Sequence, residues 1–367
     1  MRDPRVTALA RILVHHSVRV SEGDMCAIEG STAAEPLVAA VYEEVLEAGG
    51  RPVVAMSFEG QQASYFARAS DAQLDWVSPV AEWVAEQSDC QIGIGAAMNT
   101  RQLSGVPPER QTRRQAATKR LMEAMMRRTA EGAHRWVYTL FPTHAYASDA
   151  EMSLTEFEDF YFRACLADRS DPVEAWKRQS EETERLRDWI QGREEVRIQA
   201  PGTDVRLGIA GRTFIAADGR HNMPDGEFFT GPVEDSVEGE VNFHLPAMIG
   251  GREVSGVRLR FEGGRVIDAS AERGEPFLHQ LLDTDEGARR LGELGIGTNY
   301  GIDRGTRDVL LDEKIGGTVH LAIGKSYPET GGKNESAVHS DMVCDLREGG
   351  RISVDGELLQ EDGRFVV

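Results

Sequence analysis

The sequence has no long apolar run. No segment approaches the roughly 18–20 consecutive apolar residues that a membrane-spanning helix needs. The amino-terminal segment is interrupted by Arg11, His15 and His16, so it lacks the apolar centre of a signal peptide. We therefore expect a soluble, cytoplasmic protein that has no membrane partner.

Cysteine is scarce and never paired in the sequence. The chain has four cysteines, which are Cys26, Cys90, Cys165 and Cys344. They lie far apart and form no C-x-x-C motif, which argues against a disulfide framework and against a zinc site built from thiolates. Buried thiols in a reducing compartment are the expected state.

Basic residues are also fewer than acidic ones. Acidic residues outnumber basic ones by 61 to 41, and the formal net charge is −20. A protein that binds nucleic acid must neutralise phosphates with clustered Lys and Arg, so this balance argues against a nucleic-acid partner. The basic helix predicted around residues 110–128 is then expected to present a solvated face. Divalent cations, or the cationic ends of substrates, are better matched to the acidic chain.

The order of predicted elements indicates an α/β fold with two domains. The 367 residues are enough for two cores. Up to residue 192 helices alternate with short apolar strands, a pattern that predicts a layered α/β domain with a parallel sheet. A charged amphipathic helix over 172–192 joins it to a β-rich α/β domain over 193–367. The strands are expected at 25–28, 52–56, 90–94, 135–138, 195–199, 204–209, 240–243, 257–261, 318–323 and 337–343, and a helix around 277–291.

Carboxylates and imidazoles are concentrated in four short segments of the second half, each rich in glycine or proline. Spacing is most informative in the last segment. Side chains alternate across a strand, so His339 and Asp341 point to the same face, roughly 6–7 Å apart. Such a pair can bind one metal ion or two adjacent ones, and Asp, Glu and His together suit Zn, Mn, Co or Fe. A hydrogen-bonded surface pair remains the alternative interpretation of this spacing alone.

At these four segments, in the same order, the sequence resembles the M29 family of metallo-aminopeptidases, the thermophilic metalloproteases of the aminopeptidase T and S group. NMPDGEFFTGP is similar to the first glutamate motif of the family, and GARRLGELGIGTN to the second. DEKIGGTVHLAIGKSYPETGG is similar to its Glu-His-Tyr segment and NESAVHSDMV to its closing His-x-Asp. Weaker similarity covers most of the chain. The interval from Glu313 to His320 is longer than in some members, and the segment from Tyr327 to His339 is short beside the long forms.

The resemblance implies a ligand set for two divalent metal ions, which are Zn, Co, Mn or Mg. The implied ligands are Glu227, Glu293, Glu313, His320, His339 and Asp341. Glu293 is also implied to bridge the metals and to move a proton, and Tyr327 to donate to the oxyanion. The implied reaction is hydrolysis of the first peptide bond of short peptides by a metal-activated water. The family also implies a homodimer whose N-terminal domain encloses the active site.

Two other functions stay open at this point. The predicted architecture also resembles that of ring-cleaving dioxygenases of the dihydroxypyridine type. Such an enzyme holds a single Fe(II) with two histidines and one carboxylate, which His320, His339 and Asp341 could supply. The joint presence of the three glutamates favours the peptidase. A non-catalytic binding module is the third interpretation, and the intact set of ligands argues against it. The identity of the metal and the preferred N-terminal residue are not indicated by the sequence.

Overall fold

The computed structural model describes residues 3–249 and 252–367, which form two compact units. The first comprises Met1–Trp176 and Gly219–Met223, and the second comprises Lys177–Asp218 and Pro224–Val367. The helices are α1 Pro4–Arg11, α2 Glu35–Glu47, α3 Gln61–Arg68, α4 Asp71–Asp75, α5 Pro79–Gln87, α6 Pro108–Ala130, α7 His144–Asp149, α8 Leu154–Ala164, α9 Pro172–Ile190, α10 Glu275–Leu282 and α11 Val309–Asp312.

The strands of the described residues are likewise numbered along the chain. They are β1 Met25–Ser31, β2 Arg51–Ser57, β3 Cys90–Gly95, β4 Arg135–Leu140, β5 Glu195–Ala200, β6 Thr203–Gly208, β7 Ile215–Ala217, β8 Asn222–Met223, β9 Glu227–Thr230, β10 Glu238–Phe243, β11 Ala247–Ile249, β12 Arg252–Val254, β13 Val257–Glu262, β14 Arg265–Ser270, β15 Leu291–Gly297, β16 Thr318–Gly324, β17 His339–Asp345, β18 Arg351–Val354, β19 Glu357–Glu361 and β20 Arg364–Phe365.

The first unit is built on a parallel sheet, as the alternation of strands and helices predicts. The strand order is β2-β1-β3-β4-β8, and every neighbouring pair is parallel. Helix α2 has Pro36 in its first turn and ends before Gly49, whose φ of 81° is the left-handed conformation that closes many helices. The Tyr161 hydroxyl contacts Thr139 on β4 and donates to the Met223 carbonyl on β8, which ties the short strand to the sheet.

The basic helix α6 has no buried residue, in agreement with its predicted solvated face. Its arginines contact neighbouring elements of the first unit: Arg113 binds Asp71 and Asp75 of α4, and Arg110 donates to the Phe66 carbonyl of α3. Its positive charge is therefore partly neutralised within the unit. All four cysteines are free and buried, as expected. In the part of the chain that the structure describes, no helix has the length and apolarity needed to cross a membrane.

The second unit is β-rich, as predicted, and its sheets are antiparallel. An eight-stranded sheet has the order β14-β13-β10-β6-β5-β18-β19-β20, and a five-stranded sheet the order β17-β16-β15-β9-β7. Apolar side chains from both sheets form one core. The predicted helix around 277–291 is wrong at its C-terminal end, because α10 stops at Leu282 and β15 begins at Leu291. Strand β15 lies between β16 and β9 and is buried throughout, so the period-two alternation that would reveal a strand is absent.

Candidate active site

One face of the five-stranded sheet carries five of the six predicted ligands. Glu293 on β15 lies opposite Ala322 on β16, which lies opposite Asp341 on β17. Residues two apart share a face, so His320 and His339 project from the same side as Glu293. Glu227 at the start of β9 lies opposite Gly297 and shares that face. The alternate residues, which include Leu294, Ile296, Val319, Leu321 and Met342, pack in the core.

Glu293 lies between the two imidazoles. Its Oε1 is 3.4 Å from His320 Nε2, and its Oε2 is 3.3 Å from His339 Nε2. Asp341 Oδ1 is 3.7 Å from the same His339 nitrogen. The period-two pattern of the sequence thus places His339 and Asp341 together, as predicted, and the sheet brings Glu293 to both histidines.

Two overlapping groups of three donors can each hold a metal ion. The first is Glu293, His339 and Asp341, and the second is Glu313, His320 and Asp341; in each, the donor atoms lie within 4.8 Å of one another. Asp341 belongs to both groups, so its carboxylate lies where two adjacent ions would meet. Glu227 belongs to neither group, but its Oε2 is 3.5 Å from His320 Nδ1.

Backbone carbonyls orient both imidazoles. His320 Nδ1 donates to the Glu313 carbonyl at 3.1 Å, and His339 Nδ1 donates to the Lys325 carbonyl at 2.8 Å. A carbonyl can only accept, so in each ring this contact leaves Nε2 available to a ligand. Close approach also dictates the glycine at position 295, since a Cβ there would collide with the His320 ring.

Lys314 is a residue of this cluster that the sequence analysis missed. Its ammonium is fully buried and lies 3.4 Å from Glu227 Oε1 and 3.9 Å from Asp225 Oδ1, and it forms a hydrogen bond with Glu313 Oε1. Burial alone would lower the pKa of Lys314, but these three carboxylates hold it well above its usual value. A lysine that follows Asp312 and Glu313 is typical of a solvated segment, so the sequence carries no local signal for its burial.

The carboxylates are in very different electrostatic states. Burial raises the pKa of Glu227 to about 8 and that of Asp341 to about 6. Burial acts on Glu293 in the same direction, but hydrogen bonds from His320 and His339 outweigh it and bring its pKa to about 2. Burial would lower the pKa of each imidazole, yet the surrounding carboxylates raise that of His320 to about 10 and that of His339 to about 9. The cluster therefore stabilises positive charge strongly.

Two observations indicate that these residues are suited to bind a divalent cation. Glu227 Oε2 and Asp341 Oδ1 are buried and have no hydrogen-bond partner among the described residues. A buried carboxylate oxygen without a partner is costly unless a cation lies against it. The donors are carboxylate oxygens and imidazole nitrogens, which suit Zn, Co, Mn or Fe.

Tyr327 lies at the edge of this cluster. Its ring centroid is 5.1 Å from that of His339 and 5.8 Å from that of Phe229. Burial, together with the negative charges of Glu293 and Asp341, raises the pKa of Tyr327 well above its usual value. The phenol therefore stays protonated and is able to donate a hydrogen bond.

Known proteins are similar to this chain in sequence and in fold. The family model for the thermophilic metalloprotease family M29 matches residues 2–365. Aminopeptidase T of Thermus thermophilus is 33% identical in an alignment that covers 71% of this chain and 70% of that protein. Aminopeptidase 2 of Geobacillus stearothermophilus is 28% identical over 97% of this chain and 94% of its own length.

Two solved structures superpose on the whole chain. Wild-type AmpT from Thermus thermophilus has a TM-score of 0.85 and 26% identity, with 99% of each chain covered. The 2,5-dihydroxypyridine dioxygenase of Pseudomonas putida has a TM-score of 0.60 and 14% identity, with 99% of this chain and 97% of that chain covered, which shows a shared fold alone. The chain therefore belongs to the M29 family of thermophilic metalloproteases and is a hydrolase.

Proposed function

We propose that this protein is a metal-dependent aminopeptidase that hydrolyses the N-terminal peptide bond of short peptides. The observation that carries the proposal is the single cluster formed by Glu227, Glu293, Glu313, His320, His339 and Asp341 on and beside one sheet face. The relatives named aminopeptidase T and aminopeptidase 2 support the same activity.

We propose that the cluster holds two divalent cations, from among Zn, Co, Mn and Mg. The two overlapping donor groups that share Asp341 support this number. When bound, such cations supply a water of lowered pKa and polarise the carbonyl group of the substrate. Lys314 contributes a further fixed positive charge. It engages Glu227 Oε1, while Oε2 has no hydrogen-bond partner among the described residues.

The side chains of the chain itself then have separate roles. Glu293 lies between the two imidazoles, at the centre of the cluster, and we assign to it the transfer of a proton from the attacking water to the leaving amine. The Tyr327 hydroxyl donates to the oxyanion of the tetrahedral intermediate. The concentration of carboxylates attracts the α-ammonium group of a peptide, which restricts cleavage to the N-terminal residue.

We further propose a cytoplasmic homodimer in which the N-terminal domain, residues 1–192, supplies dimer contacts and the C-terminal domain, residues 193–367, supplies catalysis. Several large apolar side chains of the first unit are exposed, among them Met56, Trp76, Val80 and Trp83. Sedimentation velocity of the purified protein tests the dimer, since a monomer at micromolar concentration contradicts it.

The activity is tested by release of free amino acid from a panel of di- and tripeptides. The protein is stripped with a chelator and resupplied separately with Zn, Co, Mn and Fe(II). We expect release to require metal, to fail on N-terminally blocked peptides and to disappear in Glu293→Gln. Glu272→Gln is the matched control, because Glu272 is an exposed glutamate of the same unit.

Absence of release with every metal contradicts the proposal. The alternative to test is then a mononuclear Fe(II) ring-cleaving dioxygenase that uses His320, His339 and Asp341. Its support is the fold shared with the dihydroxypyridine dioxygenase. Oxygen consumption with a dihydroxypyridine in the Fe(II)-loaded protein measures it directly.

A further inference from the structure

A cavity opens beside the metal-donor cluster, within the second unit. Its volume is about 160 Å³, and His339, Asp341 and Glu313 form one wall. The opposite part of the lining carries six apolar residues, Pro246, Ala247, Met248, Ile249, Val309 and Val343, and the polar residues Arg307, Asp312 and Ser340 complete it. Asp341 and His339 thus face both the donor cluster and this cavity.

The size of the cavity limits what it can hold. An apolar cavity of about 150 Å³ in a protein interior accommodates a benzene ring. A volume of about 160 Å³ therefore accepts one side chain of the size of leucine, methionine or phenylalanine. Two such side chains, or a tryptophan together with ordered water, exceed it.

Polar residues at the rim have partners within the protein. Asp312 accepts hydrogen bonds from the Thr306 amide at 2.6 Å, the Thr306 hydroxyl at 2.8 Å and the Arg307 amide at 2.9 Å. The Arg307 guanidinium lies 3.4 Å from Glu253 Oε2. Asp312 and Arg307 are thus already engaged, and Asp341, Glu313 and His339 are the ligands of the proposed cations. A charged side chain that enters the cavity of the metal-loaded protein would therefore lose water without gaining a free counter-charge.

We propose that this cavity is the subsite for the side chain of the substrate's N-terminal residue, and that Met248 and Val309 set a preference for leucine, methionine or phenylalanine there. The inference rests on the proposed aminopeptidase function and adds its substrate class. A peptide whose amino group and first carbonyl lie at the donor cluster has its first side chain next to Asp341, where the cavity begins. Burial of that side chain against six apolar residues supplies the preference over glycine and alanine.

The test compares kcat/KM of the metal-loaded enzyme on X-Gly dipeptides, with X being Gly, Ala, Leu, Phe, Lys and Asp. Each lost methylene in an apolar pocket costs about 10- to 200-fold in kcat/KM, so Leu-Gly and Phe-Gly are expected to exceed Ala-Gly by at least tenfold. Val309→Trp is expected to remove that advantage while Ala-Gly cleavage persists. Met248→Ala enlarges the cavity and is expected to favour Phe over Leu.

Ile267→Trp is the matched control, since Ile267 is 43% exposed on β14 and Val309 is 52% exposed on α11. A side-chain profile that both cavity variants leave unchanged overturns the subsite, and so does a wild-type preference for Lys or Asp. If the wild type cleaves no peptide, the aminopeptidase proposal fails separately. Calorimetry with leucinamide and glycinamide then decides the subsite: leucinamide binding at least tenfold more tightly, with the difference lost in Val309→Trp, supports it, and equal affinities overturn it.

Discussion

Lys314 and Glu227 form an ion pair that is fully enclosed by the second unit, with 3.4 Å between Nζ and Oε1. The pair joins the residue after Glu313 to the first residue of β9, 87 positions earlier in the chain. It occupies one oxygen of Glu227 and leaves Oε2 beside His320. The ammonium is thus a buried positive charge within the cluster of candidate metal ligands.

Removal of the Lys314 ammonium tests how much it contributes to the stability of the metal-free protein. We expect Lys314→Met to lower the free energy of unfolding of the metal-free protein by about 3–5 kcal/mol, because Glu227 and Glu313 lose their buried counter-charge. Urea unfolding followed by circular dichroism measures the change. Lys333→Met is the control, since Lys333 is exposed in the same unit, and it should shift stability by less than about 0.5 kcal/mol. If both variants lowered the free energy of unfolding equally, the pair of Lys314 and Glu227 would not be a specific source of stability.

Gly295 leaves room for the imidazole of His320. A Cβ at this position would overlap the ring, so Gly295→Ala must displace His320 or strain β15. We expect metal affinity to fall at least tenfold and unfolding free energy to drop by about 1–3 kcal/mol. Competition with a chromogenic chelator measures the affinity. Gly105→Ala is the matched control because no atom lies within 4 Å of a Cβ there, and metal affinity unchanged in both variants would refute the assignment.

Tyr327 allows the oxyanion role to be separated from packing. Tyr327→Phe keeps the ring against Phe229 and His339 and removes only the hydroxyl. We expect kcat on a good peptide substrate to fall about 10²- to 10³-fold with little change in KM. Tyr42→Phe is the control, since Tyr42 is 41% exposed and Tyr327 is 40% exposed. A fall in KM alone, or full activity, would remove Tyr327 from the mechanism.

His134 gives the first unit a pH-dependent stability. Its ring is buried, and Nε2 has no hydrogen-bond partner among the described residues. Burial, with the nearby Arg128 and Arg135, lowers the pKa of His134 to about 4. Between pH 6.5 and pH 4 the unfolded chain therefore binds a proton that the folded chain does not, so stability falls as pH falls through this window.

This dependence is measurable as the change in urea midpoint between pH 7 and pH 5 for the metal-free protein. We expect a loss of about 1–2 kcal/mol from this residue. In His134→Gln that part of the slope should vanish, whereas His221→Gln, which alters an exposed histidine of the same unit, should retain it. A parallel slope in wild type and His134→Gln would contradict the buried neutral state.

The sequence predicts those parts of the molecule that depend on residues close to each other in the chain. The parallel strands β1 to β4 follow from the alternation of short apolar runs with helices, and the shared face of His339 and Asp341 follows from the period of a strand. The helix that the sequence predicts around 277–291 runs into the first residue of β15, because this strand is buried on both faces, contains several glycines and lacks a period-two pattern. A Cβ at Gly292 or Gly297 would collide with backbone that follows or precedes β16, and one at Gly295 with the His320 ring, and these contacts are not visible in the sequence alone.

Lys314 shows a second limit. A lysine beside two acidic residues normally extends into solvent, and its burial here depends on Glu227 and Asp225, which are distant in sequence. Similarly, the motif resemblance put six ligands in one set, but only the antiparallel register shows which of them face each other. Non-local pairing is the information that a motif does not carry.

The hydrogen-bonded ladder of β9, β15, β16 and β17 also fixes the spacing of the candidate donor atoms. Neighbouring strands are held about 4.8 Å apart by their backbone hydrogen bonds, so donors on successive strands have a separation that side-chain changes beneath the sheet cannot adjust. Two catalytic cations in proteins lie about 3.5–4 Å apart, a distance such donors can span with ordinary rotamers. Preference among ions should therefore respond to exchange of a donor atom, as in Asp341→Asn, far more than to any repacking of the core.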